Sequence, residues 1–218
     1  MTRIRRWVKD PFPGLSHLLG AFLSVAAMIV LLEMSVGKPW RIVAFAIYGA
    51  SMISLYLASA AAHSIYCSPA AEKWLDRCDY MAIFLLIAGT YTPVCLIGLR
   101  EKAAGWAWTI LAVEWLLALV GIALILFRGG MSNLVRSIIY VSMAWLAIFA
   151  AVPVMQTLSH TAILWMIGGG ILYSVGAAVF VLDRPHLWPG RFQAHDLWHC
   201  MVLGGSTCHF ILMLCIIG

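Results

Sequence analysis

The sequence predicts an all-α integral membrane protein, a bundle of seven transmembrane helices. Of its 218 residues, 63% are hydrophobic and only 11% are charged, whereas soluble domains average roughly 25% charged residues. A chain of this length cannot bury so large an apolar excess inside a water-soluble globule. The apolar residues also fall into seven long runs, each close to the roughly 20 residues that cross a bilayer as a helix.

The seven runs are joined by short polar connections, which leave no room for an inserted soluble domain. Continuous apolar runs exclude a β-barrel, whose strands alternate over about ten residues. Backbone groups in lipid must be paired within the segment, so each run is predicted to be a helix. We therefore expect residues 1–218 to form a single seven-helix transmembrane domain. The predicted spans are 16–36, 42–66, 80–99, 105–127, 137–158, 162–182 and 195–217.

The distribution of lysine and arginine predicts the orientation, because these residues concentrate on the cytoplasmic side of membrane proteins. One side of the bundle holds the N-terminus and the second, fourth and sixth connections, with ten of the fourteen basic residues. We expect a cytoplasmic N-terminus, a retained first span and an external C-terminus, in the plasma membrane. The net charge of +5 then reflects basic loops at a lipid surface and not a nucleic-acid partner. The ten residues are Arg3, Arg5, Arg6, Lys9, Lys73, Arg77, Arg128, Arg136, Arg184 and Arg191.

Polar side chains from three predicted spans fall at the same cytoplasmic level. His195 and His199 begin the seventh span, and their spacing places both imidazoles on one helix face. His63 lies near the end of the second span, and Ser59 precedes it by one turn. Asp79 opens the third predicted span. Polar groups in lipid are costly and usually face the bundle interior, so we expect these five to converge.

Three neutral imidazoles with an open fourth position are the usual ligand set of a catalytic zinc ion. The alternative is that the histidines only form hydrogen bonds between helices. Cys67, four residues after His63, is a rival ligand. His209, ten residues past His199, lies nearly three turns deeper and is assigned a packing role.

The remaining polar residues are assigned by their position along the spans. His17 begins the first span and contacts either the site or lipid. Glu114 lies inside the fourth span, as a buried polar contact or part of a proton path. The other polar residues are assigned to interfaces and loops: Asp76, Asp196, His160 and His186.

Three segments carry a family resemblance: SAAAHSIYC (59–67), DYMAIFLLIAGTYTP (79–93) and HDLWHCMVLGGSTCHF (195–210). Together they resemble the hemolysin III branch of the progestin and adipoQ receptor family, which includes the adiponectin receptors and is distantly related to alkaline ceramidases. The resemblance covers nearly the whole chain. It departs from the family in the first span, where a Glu and an Asn usually precede a Thr-His pair. This chain has GLSHLLGA instead, with Ser16 and His17 in the place of that pair.

The resemblance implies zinc held by His63, His195 and His199, with Asp79 beside the zinc-bound water and Ser59 close by. It implies hydrolysis of a lipid amide or ester near the cytoplasmic face. Two alternatives remain: a membrane-state sensor or regulator with a structural zinc, and a cytolytic membrane protein. A zinc ion with four protein ligands would favour the sensor. A polar stripe along a span would favour a pore, and the sequence has none.

Overall fold

The structure, a computed structural model, describes residues 8–128, 131–188 and 191–217. Within these ranges the chain is helical, and seven of its helical segments are long and apolar enough to cross a membrane. The predicted all-α fold with seven spans is therefore confirmed. The elements are α1 (Pro11–Glu33), α2 (Pro39–Ser64), α3 (Pro69–Pro93), a π-helical turn (Val94–Leu99), α4 (Ala104–Arg128), α5 (Asn133–Ala144), a 3₁₀ segment (Leu146–Ala150), α6 (Ala151–Thr157), α7 (His160–Leu182) and α8 (Ala194–Ile217).

The outer surface of the bundle is apolar. Large side chains such as Phe22, Leu116, Phe149 and Leu164 are more than half exposed, on faces that a soluble protein would have to cover. The third span is the most buried of the seven. The spans thus surround α3 and direct their apolar faces toward lipid.

The third helix begins eleven residues before the predicted start of its span, at Pro69 instead of residue 80. The hydroxyl of Ser68 accepts a hydrogen bond from the amide of Ala71 at 3.3 Å, and Pro69 takes the first helical position. The polar first turns lie before the apolar run, so hydropathy does not mark them. Asp79 therefore lies nearly three turns inside α3, at the start of the apolar run and not at the start of the helix.

The fifth span is not one continuous helix, as predicted for 137–158, but is interrupted after Ala144 by the 3₁₀ segment. The hydroxyl of Tyr91 donates to the carbonyl of Ala144 at 2.9 Å and accepts from the amide of Ala147 at 2.9 Å. Backbone groups at membrane depth need such partners. The Tyr91 side chain of α3 thus stabilises the interruption.

The fifth connection, which precedes α7, is shorter than predicted. His160 is the first residue of that helix and not a loop residue, because Ser159 caps the helix by accepting from the amide of Ala162 at 3.2 Å. His186 lies outside the helices, as predicted.

The first helix lies close against α2 and also contacts α8. A Cβ atom at Gly14 would lie 2.4 Å from the Ser64 hydroxyl oxygen, and one at Gly20 would lie 2.7 Å from the Tyr56 ring. Glycine at these two positions therefore allows α1 to lie close to α2. This packing brings the start of α1, the end of α2 and the start of α8 together at one end of the bundle.

The orientation of the bundle is testable with reporter fusions at the two ends of the chain. An odd number of spans places the termini on opposite sides, and the bias in basic residues predicts that the N-terminus is cytoplasmic. We expect a cytoplasm-active reporter to work at the N-terminus and a periplasm-active reporter to work at the C-terminus. Activity of one reporter type at both ends would contradict the seven-span topology.

Candidate metal centre

Three imidazoles converge where α2 ends and α8 begins. His63 lies in the last turn of α2, and His195 and His199 lie in the first two turns of α8. The Nε2 atoms of His195 and His199 are 3.0 Å apart, and those of His195 and His63 are 3.4 Å apart. The predicted convergence of the three histidines is thus present in the structure.

The spacing of these nitrogens fits one shared metal ion. Tetrahedral coordination with metal–nitrogen bonds of about 2.0–2.1 Å separates neighbouring ligand atoms by about 3.3 Å. Among the described residues, the group whose donor atoms lie within 4.8 Å of one another consists of His63, His195 and His199. Neither Asp79 nor Cys67 belongs to it. The three histidines can hold a metal ion.

Two side chains, one directly before α1 and one within it, contact the outer nitrogens of these imidazoles. Asp10 Oδ2 lies 3.1 Å from His63 Nδ1, and His17 Nε2 lies 2.9 Å from His199 Nδ1. His17 is buried, which decides the question left open by the sequence: it contacts the site and not lipid. Asp10 was missed, since it precedes the first apolar run and its partner lies 53 residues away.

An internal cavity opens beside the three histidines. Its volume of about 160 Å³ is far above the roughly 10–15 Å³ that one water molecule requires. It follows α3 from Asp79 to Val94, which at about 1.5 Å per residue is a length of about 22 Å. The wall is mostly apolar away from the histidines, with lining residues Leu55, Ile83, Leu86, Ile87, Val94, Ala147, Ala177, Val202 and Leu212.

Ser59 and Asp79 lie in the wall of this cavity at the end that holds the histidines. Ser59 is 1% exposed and precedes His63 by one turn of α2. Asp76, one turn before Asp79, also lines the cavity and is half-buried, a contact that its predicted interfacial position did not include. The cavity thus has a polar end, which carries the carboxylates and imidazoles, and a long apolar end.

A cation completes the polar end. Arg136 is 5% exposed and lines the cavity, and its guanidinium lies 3.4 Å from the centroid of the Tyr80 ring. The guanidinium also donates to Asn133 Oδ1 and to the carbonyl of Met131. A buried charge needs such partners, and this one balances the carboxylate side of the wall.

A second depression reaches the metal centre from the ends of the helices. It is lined by residues before and within the first turns of α1 and α8, including Asp10, Phe12, Arg191 and Asp196. His63 and His195 line both this depression and the internal cavity. His63 and His195 therefore lie between an apolar space and the polar end of the bundle, and His199 lines the apolar space.

The remaining candidates, Cys67, His209 and Glu114, are outside the group of three histidines. Cys67 is exposed and does not join the histidine group. His209 Nε2 lies 3.4 Å from the carbonyl of Met166 and packs against Gly169, as its predicted packing role requires. Glu114 is fully buried in α4, and neither of its carboxyl oxygens has a hydrogen-bond partner within the described ranges.

Comparison with known proteins decides the family. The model of the family described as Haemolysin-III related matches residues 5–210. The chain belongs to the haemolysin-III related family. A "Hemolysin-3" of Bacillus cereus is 40% identical over 217 residues, covering 98% of this chain and 94% of that protein. A "Hemolysin-3 homolog" of Bacillus subtilis (strain 168) is 37% identical over 203 residues, covering 92% of this chain and 91% of that protein.

A more distant relative of this haemolysin-III family protein also matches its sequence. An "Adiponectin receptor protein" of Drosophila melanogaster is 26% identical over 217 residues. This match covers 89% of the chain and 48% of the receptor, so the chain spans about half of that protein. The family and the seven apolar spans identify a multi-pass integral membrane protein, and the bacterial relatives place it in the plasma membrane.

Proposed function

We propose that this haemolysin-III family protein is a zinc-dependent hydrolase that cleaves an amide or ester bond of a membrane lipid. The observation that supports the proposal most strongly is the position of the three-histidine group, in which His63 and His195 line both the apolar cavity and the polar depression. A lipid chain and a water molecule can reach the same point from opposite sides.

Zinc fits the donor set. Zinc in catalytic sites takes three protein ligands, often three imidazoles, and leaves one position open. His63, His195 and His199 supply such a set in the described residues. A structural zinc site would use a fourth protein ligand, and Asp79 is not among the donor atoms that lie within 4.8 Å of one another. The ligand number therefore favours the hydrolase over the sensor.

Zinc in this position supplies an acidic coordinated water with a pKa of about 7 and polarises a carbonyl group. Asp79 then accepts the proton of the attacking water on its carboxylate oxygen. The hydroxyl of Ser59 donates a hydrogen bond to the carbonyl oxygen of the lipid. The water oxygen bonds to the carbonyl carbon, and the carbon–nitrogen or carbon–oxygen bond breaks. The proton held by Asp79 passes to the departing amine or alcohol, so the products are a fatty acid and an amine or alcohol.

The apolar cavity suits the acyl chain of such a substrate. The hydrocarbon core of a bilayer is about 30 Å thick, so a chain in one leaflet covers about 15 Å. The cavity length along α3, about 22 Å at 1.5 Å per residue, accommodates it with the carbonyl group at the histidine end. Leu86, Val94 and Leu212 surround the chain in this arrangement.

The function is tested with the full-length protein reconstituted in vesicles that contain ceramides and phospholipids. We expect zinc-dependent release of fatty acid from at least one lipid class, detected by mass spectrometry and stopped by a chelator. His199→Ala, which removes a proposed ligand, serves as the inactive control. If the folded and zinc-loaded protein releases no fatty acid from any lipid class, the hydrolase proposal is wrong and the sensor is favoured.

A further inference from the structure

We infer that Asp10, the N-cap residue of α1, and His17 within α1 are positioning residues of the metal centre. They accept hydrogen bonds from the outer nitrogens of two ligands, His63 and His199, and thereby fix the ring nitrogen that faces the metal. The inference rests on the metal site of the proposed function. It assigns a role to the first helix, which contributes no metal ligand.

Asp10 contacts His63 through both its side chain and its backbone. Asp10 Oδ2 lies 3.1 Å from His63 Nδ1, and the amide of Asp10 donates to the carbonyl of His63 at 2.7 Å. Asp10 occupies the N-cap position of α1, where an aspartate normally accepts from first-turn amides. Its carboxylate makes no such capping bond and is directed at the imidazole instead. This orientation indicates a role toward the ligand and not toward the helix start.

The contact of His17 with His199 determines the hydrogen positions of both rings. His199 faces the group of ligands through Nε2, so its Nδ1 carries a hydrogen and donates to His17 Nε2 over 2.9 Å. The hydrogen of His17 is then on Nδ1, which is buried without a hydrogen-bond partner in the described part of the chain. An unpaired buried polar atom is costly and needs an explanation. The bond to His199 provides one.

The two acceptors lie at the N-terminal end of one helix. Gly14 and His17, three residues apart, share one side of α1, and Asp10 is the N-cap residue directly before that helix. Gly14 allows that side to lie against the end of α2, since a Cβ there would meet Ser64. The position of α1 is therefore fixed relative to the backbone of His63, and both hydrogen bonds follow from a single docked surface.

Such outer hydrogen bonds have a known effect on metal ligands. A carboxylate or other acceptor on the second ring nitrogen orients the imidazole and increases its donor strength. Loss of these partners typically reduces metal affinity by 10–100-fold. We therefore expect the first helix to control how tightly the site holds its metal.

The test measures zinc affinity of the purified full-length protein by competition with a chelator. Asp10→Ala and His17→Ala are expected to weaken zinc binding by about 10–100-fold each. Asp10→Asn is expected to lose less zinc affinity than Asp10→Ala, because its amide oxygen still accepts a hydrogen bond from His63. It should still bind zinc more weakly than the wild type, because the amide carries no charge. The visible absorption of cobalt-loaded protein should also shift in Asp10→Ala and His17→Ala, because cobalt reports the ligand field directly.

Two control variants separate positioning from general destabilisation. Ser68→Ala removes the N-cap side chain of α3, and Ser16→Ala removes a hydroxyl on α1 that donates to the nearby carbonyl of Pro13. Both should keep the zinc affinity and the cobalt spectrum of the wild type. If an alanine variant does not fold, Asp10→Asn and His17→Gln provide the comparison, since Asn keeps an acceptor oxygen toward His63 and Gln places an amide oxygen near the position of His17 Nε2.

The outcomes distinguish this inference from the proposed function. A wild type that binds no zinc contradicts the metal site itself. A wild type that binds zinc, with unchanged affinity and spectrum in Asp10→Ala and His17→Ala, overturns the positioning role and leaves the site intact. Equal loss of affinity in Ser68→Ala also overturns it, because that result would reflect helix stability and not contact with a ligand.

Discussion

Replacement of His199 by alanine is expected to reduce the zinc content of the purified protein from about one ion per chain to nearly none. Catalytic zinc sites have three protein ligands, and removal of one leaves two imidazoles that cannot hold the ion against a chelator. His63→Ala and His195→Ala should have the same effect, because their Nε2 atoms belong to the same group. Elemental analysis after dialysis measures the result.

The matched control is His209→Ala, which removes another imidazole from the same helix. His209 contacts Met166 and Gly169 and lies outside the ligand group. This variant should therefore retain its zinc even if its unfolding temperature falls. Full zinc content in His199→Ala would remove that residue from the ligand set. Zinc loss in Cys67→Ala with retention in His63→Ala would assign the ligand to the thiol.

Much of this site was predictable because it depends on two local signals. The four-residue spacing of His195 and His199 fixes their common helix face, and the hydropathy pattern fixes the end of the bundle at which they lie. His63 and Ser59 follow from the same reasoning applied to α2. These signals need only helix geometry and span counting, and the structure brings all four residues to one place.

The parts that could not be predicted depend on contacts between residues distant in sequence. Asp10 lies in a polar segment and acquires its role only from His63, 53 residues away. The interruption after Ala144 depends on the hydroxyl of Tyr91, which is also 53 residues away. Hydropathy cannot report either contact, because it averages over neighbours in the chain.

One missed feature had a local signal. The Ser68–Pro69 pair marks a helix start, and the structure begins α3 there. The apolar run that defined the predicted span starts only at residue 80, because the first turns of α3 lie in the polar interface. The depth of Asp79 within its helix follows from the cap and not from the hydropathy.

Asp79→Asn is expected to keep its zinc and to lose lipid hydrolysis by about 10²–10⁴-fold, the usual contribution of a general base. The three imidazoles remain, and Asp79 is outside the group of donor atoms that converge on the metal. A neutral amide cannot accept the proton of the attacking water. The two measurements are zinc content by elemental analysis and fatty-acid release by mass spectrometry on the same preparation.

The control for Asp79→Asn is Glu72→Gln, which makes the same carboxylate-to-amide change on the same helix. Glu72 forms a salt bridge with Lys9 at 3.4 Å near the polar surface and should keep both zinc and activity, since exposed pairs of this kind contribute little. Loss of zinc in Asp79→Asn would show that Asp79 is a direct ligand, and a site with four protein ligands favours the sensor.

Equal hydrolysis by the wild type and Asp79→Asn would be consistent with the proposed hydrolase but would assign the proton transfer to a group other than Asp79. Retained zinc with lost turnover is the one result that requires both an open metal position and a carboxylate acting on its water.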